Sequence, residues 1–158
     1  MNQEKRHKDL KSTTLYRMFR ECFWFVLCYD VWFYLIHVGL HDKRLYPFHK
    51  EHHSTPYQKL QLWDTYRAHW IENATQGLGI LIPLLFFPKP WSAFVVSYIG
   101  INVRGLMRHD SRFVWLIGNH HLLHHKNMNY NFGEYWIDVC MGTQYPHESE
   151  YHYGMLMT

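Results

Sequence analysis

Histidine supplies 14 of the 158 residues, and three blocks of it carry spacings that chemistry can use. His37-x-x-x-His41 is an i, i+4 pair, while His49-x-x-His52-His53 and His121-x-x-His124-His125 each set three rings at i, i+3 and i+4. On a helix these spacings put the rings on one side, about 5–6 Å apart at Cβ. Rings so placed converge on a metal, and imidazole suits iron, zinc, copper and nickel. One cation takes few ligands, so the eight histidines of the three blocks imply two adjacent metals. His69 and His109, just outside the longest apolar zone, bring the candidate ligands to ten. Without a cation, clustered neutral imidazoles would leave many ring nitrogens seeking partners in one small volume. His120 competes for a place, because His120-x-x-x-His124 is also i, i+4; His121 is preferred because it repeats the spacing of the 49–53 block. His7, His147 and His152 read as ordinary hydrogen-bonded side chains.

The elements that must position these rings read as helices. Residues 23–39 form an aromatic-rich apolar run of 17 without proline, interrupted by Asp30 and His37. Asp30, Tyr34, His37 and His41 share one helical face, a polar stripe that must point at protein or metal rather than lipid. Pro47 can open a further helix, carrying His49, His52 and His53, that stops at Ser54, Thr55 and Pro56. Residues 71–87 and 91–107 flank a Pro88, Lys89, Pro90 turn and read as a helical hairpin. An arm of that length reaches roughly 25 Å, against a hydrocarbon core of about 30 Å. Gly77, Gly79 and Pro83 weaken a soluble helix but are tolerated in membranes, which favours a membrane hairpin over a buried soluble one. Arg67, Arg104, Arg108 and Arg112 gather at its outer ends and only Lys89 at its tip. The positive-inside rule then puts the histidines in the cytosol. Residues 1–14 form a polar tail or short interfacial helix, 15–143 the histidine-bearing domain, and 144–158 a C-terminal tail without a usable pattern.

Composition narrows the alternatives. Aromatics at 18% give ample surface to bury, against a disordered chain. Cys22, Cys28 and Cys140 are odd in number and form no C-x-x-C pair, so they read as inert buried thiols rather than as disulfides or zinc-finger ligands. The net charge of +3 is concentrated near the start and forms no stripe, so nucleic acid is not an expected partner. Residues 49–53 read HKEHH, so the HExxH pattern of metalloproteases is missing, as are the G-x-S-x-G elbow, the P-loop and G-x-G-x-x-G.

The three blocks, in this order around an apolar hairpin, resemble the histidine boxes of the membrane fatty acid hydroxylase and sterol desaturase superfamily. The flanking text agrees from about residue 23 to 143: DVWFY at 30–34, LYPFHK at 45–50, YRAH at 66–69, Asn129, Asn131 and Gly133, WID at 136–138, and Gly142 with Thr143. The resemblance implies an all-α membrane helical bundle with a cytosolic, histidine-lined dimetal site, in the endoplasmic reticulum or an equivalent membrane. It implies two irons, for which zinc could substitute, with O2 as co-substrate. It implies hydroxylation or desaturation of a fatty acyl chain or sterol, with electrons from a separate haem protein or reductase. Carried over by position, the ligands are His37, His41, His49, His52, His53, His69, His109, His121, His124 and His125. Asp30 and Asp138 are expected to orient ligand rings through their second ring N–H. Two rival readings stay open: a non-catalytic, zinc-holding membrane relative, and a soluble helical interaction bundle.

Overall fold

The computed structural model describes residues 3–88 and 90–156, with side chains from Thr13 onward; Lys89, the expected hairpin tip, and the His7 side chain lie outside that description. The regular elements among the described residues are all helices, with no strand among them.

The longest element, α1 (Gln3–Leu40), is 38 residues, so the polar segment from Gln3 continues without a break into the apolar run. Within its stretch Thr13–Leu40 an 18-residue window has mean hydropathy 1.5, long and apolar enough to cross a membrane. One face of α1 leaves Leu15, Phe19, Phe23, Trp24, Val31, Leu35 and Val38 exposed. The opposite face buries Phe25 against Ile80, Ala93 and Ile101.

Those partners come from the two expected arms. The first is α2 (Trp70–Gly77), continued by a 3-10 helix over Leu78–Leu85 that contains Pro83. Proline lacks the N–H and crowds the carbonyl four residues back, which favours the tighter winding. Glycine is required at 79, because a Cβ there would stand 2.7 Å from Cβ of Trp32. Trp32 in turn donates from its indole N–H to the Thr75 carbonyl at 2.7 Å. The second arm is α3 (Trp91–Arg108). Both arms pack chiefly against α1, which therefore serves as the spine of the fold.

The 49–53 block does not form the α-helix expected after Pro47. Two 3-10 turns, Tyr46–Phe48 and His52–Ser54, are joined by tight turns instead. The amide of His52 bonds the His49 carbonyl at 3.0 Å, so the tighter repeat holds the first two rings of the block nearly parallel. The third block does form a helix, α5 (His120–Lys126), preceded by α4 (Val114–Ile117) and followed by α6 (Tyr135–Met141).

The C-terminal segment is bound to the body. Amides of Met155 and Leu156 donate to the carbonyls of Trp115 and Leu116 at 3.1 and 2.8 Å. Tyr145 and Tyr151 are buried against Leu123 of α5. Cys22 and Cys28 are half-buried, whereas Cys140 is exposed on α6 and not buried as expected.

Candidate metal centre

Nine of the ten candidate histidines gather into two abutting groups. His37, His41, His49, His53 and His124 form one; His52, His109, His121 and His125 form the other; within each, the potential ligand atoms lie within 4.8 Å of one another. In the first group, Nε2 of His49 stands 3.1 Å from that of His37, 3.1 Å from that of His41 and 2.9 Å from that of His53. Nε2 of His124 closes the ring at 3.2 Å from His41 and 3.1 Å from His53. In the second group, Nε2 of His109 is 3.2 Å from His52 and 3.1 Å from His121. The His53 and His125 rings meet across the boundary, their centroids 4.6 Å apart.

The far nitrogens show which tautomer several rings adopt. A carbonyl can only accept, so the ring nitrogen facing it carries the hydrogen. Nδ1 of His37 donates to the Phe132 carbonyl at 2.5 Å, Nδ1 of His124 to Tyr130 at 2.7 Å, and Nδ1 of His109 to Gly105 at 2.9 Å. Nε2 of each is then a bare lone pair aimed at other ring nitrogens about 3 Å away. Protons do not resolve the crowding. Burial, with the neighbouring rings adding to it, lowers the pKa of His41 to about 3 and that of His53 to about 2. Burial likewise lowers His49 to about 4, and it dominates at His52, also about 4. His109, His121, His124 and His125 are held well below the usual value for the same first reason. Neutral imidazoles with converging lone pairs fit a cation in each group, and the all-nitrogen donor set suits iron or zinc.

Three of these rings are fixed by a loop and a helix end. Residues 130–133 present the Tyr130 and Phe132 carbonyls to the first group. Asn131, in the left-handed region at φ 60°, anchors that loop: it donates to the His120 carbonyl at 3.0 Å and accepts from the Tyr145 amide at 2.7 Å. Gly133 passes so close to Tyr34 that a Cβ would stand 2.9 Å from Cδ2. On α3, one turn of helix carries the Gly105 carbonyl to His109.

The two expected orienting acids act elsewhere. Asp138 accepts from the amides of Phe132 and Gly133 at 2.9 and 2.8 Å and from the Thr143 hydroxyl at 2.6 Å. Its histidine contact, at 2.9 Å, is with Nε2 of His120, which belongs to neither group. It thus shapes the loop that orients His37 rather than touching a ligand ring. Asp30 pairs with Arg104 and does not reach His37, whose Nδ1 is already committed to Phe132. Arg104 also lies 3.3 Å from Glu134, which pairs with Arg108, giving a buried chain of two acids and two bases. These arginines, read from the sequence as topogenic surface charge, are therefore consumed inside the fold. Burial alone would raise the pKa of Glu134, but Arg108 and Arg104 hold it below the usual carboxylate range. His69 joins neither group; its Nδ1 accepts from the Ile71 amide at 3.2 Å and caps α2.

One contact had no sequence signal. Oε1 of Glu72, on α2, lies 2.9 Å from Nδ1 of His49, although the ring is not turned well enough for a directed hydrogen bond. The acid sits in an apolar arm, outside every histidine block, and only the packing of α2 brings it to the site.

A cleft of about 370 Å3 opens between α2 and α3, with Tyr66, Asn73 and Asn102 at one end and Ile80 and Ile101 along its wall. It shares Tyr29, Thr65, Gln76, Ile101 and Gly105 with a pocket of about 50 Å3 that reaches His52, His109 and His121.

Comparison with known proteins bears on this arrangement. The family model described as fatty acid hydroxylase matches residues 22–143. The chain is 30% identical over 121 residues to a Delta(7)-sterol 5(6)-desaturase of Leptosphaeria maculans, covering 70% of this chain and 32% of that protein. It is 30% identical over 125 residues to a human lathosterol oxidase, covering 71% and 40% respectively. With the rat lathosterol oxidase the identity is 29% over 141 residues, covering 80% of this chain and 45% of the relative. The chain thus spans less than half the length of these relatives. No solved structure gives a significant match.

Proposed function

Because the chain belongs to the fatty acid hydroxylase family, we propose that it is a membrane-bound di-iron oxygenase that hydroxylates or desaturates a lipid. The relatives named as sterol desaturases and lathosterol oxidases make a sterol the first substrate to test. The carrying observation is the pair of abutting histidine groups, five and four rings, whose bare nitrogens converge. Two irons held there supply, with O2 and electrons from a separate haem protein or reductase, the oxidising power to break an unactivated C–H bond.

The chain's own residues do the rest. The Phe132, Tyr130 and Gly105 carbonyls hold their rings in the tautomer that leaves Nε2 free to bind metal. The cleft between α2 and α3 leads substrate to the four-ring group, since its inner pocket touches His52, His109 and His121 and no ring of the five-ring group. That group also has the smaller donor set, as a catalytic site that keeps a position open requires. Phe33 and Ile101 supply the apolar part of the inner pocket's wall, beside Arg104 and Arg108.

The exposed apolar face of α1 and the outward Val95, Val96, Ile99 and Val103 of α3 support burial of these helices in a bilayer. Lys43, Arg44, Lys50 and Arg112 are exposed near the histidine end, which supports a cytosolic site on a membrane of the endoplasmic reticulum or an equivalent.

The test combines metal analysis of detergent-purified protein with lipid profiling of expressing cells. Two irons and a new oxidised lipid, lost in His52→Ala, support the reading. Stoichiometric zinc with an unchanged lipidome would replace it with a metal-holding, non-catalytic role. Protease cleavage of tags beside the histidine blocks from the lumenal side only would reverse the orientation.

A further inference from the structure

We propose that Glu72 is a positioning residue that makes the two metal positions unequal, acting by direct contact with His49 of the five-ring group. The inference rests on the dimetal reading and names a determinant within it.

Glu72 is 1% exposed, and its Oε2 has no hydrogen-bond partner. Its Oε1 accepts from Nε2 of Gln76 at 3.1 Å and lies 2.9 Å from Nδ1 of His49. No lysine or arginine among the described residues forms an ion pair with it. A buried carboxylate needs positive charge or several donors to compensate the loss of water. Gln76 is neutral, and so is an imidazole that ligates a metal. A cation held on the other side of the His49 ring would supply that charge through the ring. His49 is the ring best placed to transmit it, since its Nε2 stands within about 3 Å of three others in its group. A carboxylate behind a ligating histidine raises the basicity of the ring and tightens its hold on the metal.

Among the described residues no acid stands within ion-pair distance of a ring of the four-ring group, and Glu72 and Asp64 act on His52 only from farther away. His109 leans on a carbonyl and a threonine hydroxyl, and the one other acid within ion-pair distance of a histidine, Asp138, contacts His120, outside both groups. Among the described residues, Glu72 is thus the one carboxylate on a ligand ring. It assigns the tighter, more electron-rich position to the five-ring group and leaves the four-ring group the weaker one.

The experiment compares the full chain in detergent with Glu72→Gln, Glu72→Ala and the control Glu51→Gln, a solvent-exposed acid beside His52. Each is loaded anaerobically with ferrous iron, challenged with a graded chelator and read by iron content and Mössbauer spectroscopy. For Glu72→Gln, which removes the charge and keeps the shape, the affinity of one iron is expected to fall about 10-fold, and for Glu72→Ala up to about 100-fold. The other iron should keep its affinity and its spectrum, and Glu51→Gln should match the parent. A merely structural acid would loosen both irons together or neither. Either result, with two irons in the parent, overturns the proposal and leaves the dimetal reading intact. A parent chain that binds no metal sinks both.

Discussion

His52 and His53 are neighbours in sequence that serve opposite groups: Nε2 of His53 is 2.9 Å from that of His49, and Nε2 of His52 is 3.2 Å from that of His109. The third block divides in the same way, with His121 and His125 in the four-ring group and His124 in the five-ring group. In each H-x-x-H-H block the i, i+4 pair goes to one group and the i+3 ring to the other. The two blocks face each other with these assignments exchanged. His53→Ala and His52→Ala should therefore each cost one iron, and different ones. Mössbauer spectra of the two variants should lose complementary components; identical residual spectra would contradict the division.

The Asp30 and Arg104 side chains pair inside the fold between α1 and α3. Removing one partner leaves a buried charge, at a cost of about 3–5 kcal/mol. Arg104→Leu should lower the thermal unfolding midpoint in detergent sharply, and the double variant with Asp30→Leu should recover much of the loss. A single variant as stable as the parent would show that the pair is not buried in the folded protein.

Asp138 holds two backbone amides, and through Phe132 it sets the carbonyl that orients His37. Asp138→Asn replaces one accepting oxygen with a donating NH2 and should cost about 1.5–3 kcal/mol, the worth of a hydrogen bond to a charged group. Chelator resistance of the five-ring iron should fall with it. Unfolding and metal release measured on one sample check both parts.

Gly105 lines both the cleft and the inner pocket, and a Cβ there clears its nearest neighbour, Cγ2 of Thr65, at an ordinary 3.5 Å. A leucine there adds bulk beside Thr65, which lines the same two spaces. Gly105→Leu should reduce product formation by more than about tenfold, as filling a pocket by a few methylenes does, while iron content stays at the parent level. Unchanged turnover would move the substrate path elsewhere.

Stripping the metal returns bare ring nitrogens to one another and should lower stability. The metal-free protein should also be acid-sensitive. Folded His41, His49, His52 and His53 hold protons only below about 3, 4, 4 and 2, against the usual 6.5. Below about 6.5 the unfolded chain binds protons first, so stability is full above that value and is lost as pH falls toward the folded values. A pH series of unfolding midpoints checks the sign; a midpoint that rises on acidification would contradict it.

The sequence by itself determined the chemistry and the periodicity. Imidazoles at i, i+3 and i+4 are legible as a cluster because short-range spacing keeps them close together, and nine of the ten chosen rings stand in the two groups. A 17-residue apolar run is likewise legible as a helix that needs a partner or lipid. Only the tertiary structure decided which ring belongs to which group, since His52 and His53 differ by one position in the chain and are separated by what packs against them. The same holds for the acids. Asp30 lies one face-repeat from His37, yet Arg104 arrives from 74 residues away and takes it. Glu72 carries no motif and reaches His49 because α2 packs against α1. Ligand type is a local property of the chain, whereas the partner of a buried charge is set by which helices meet.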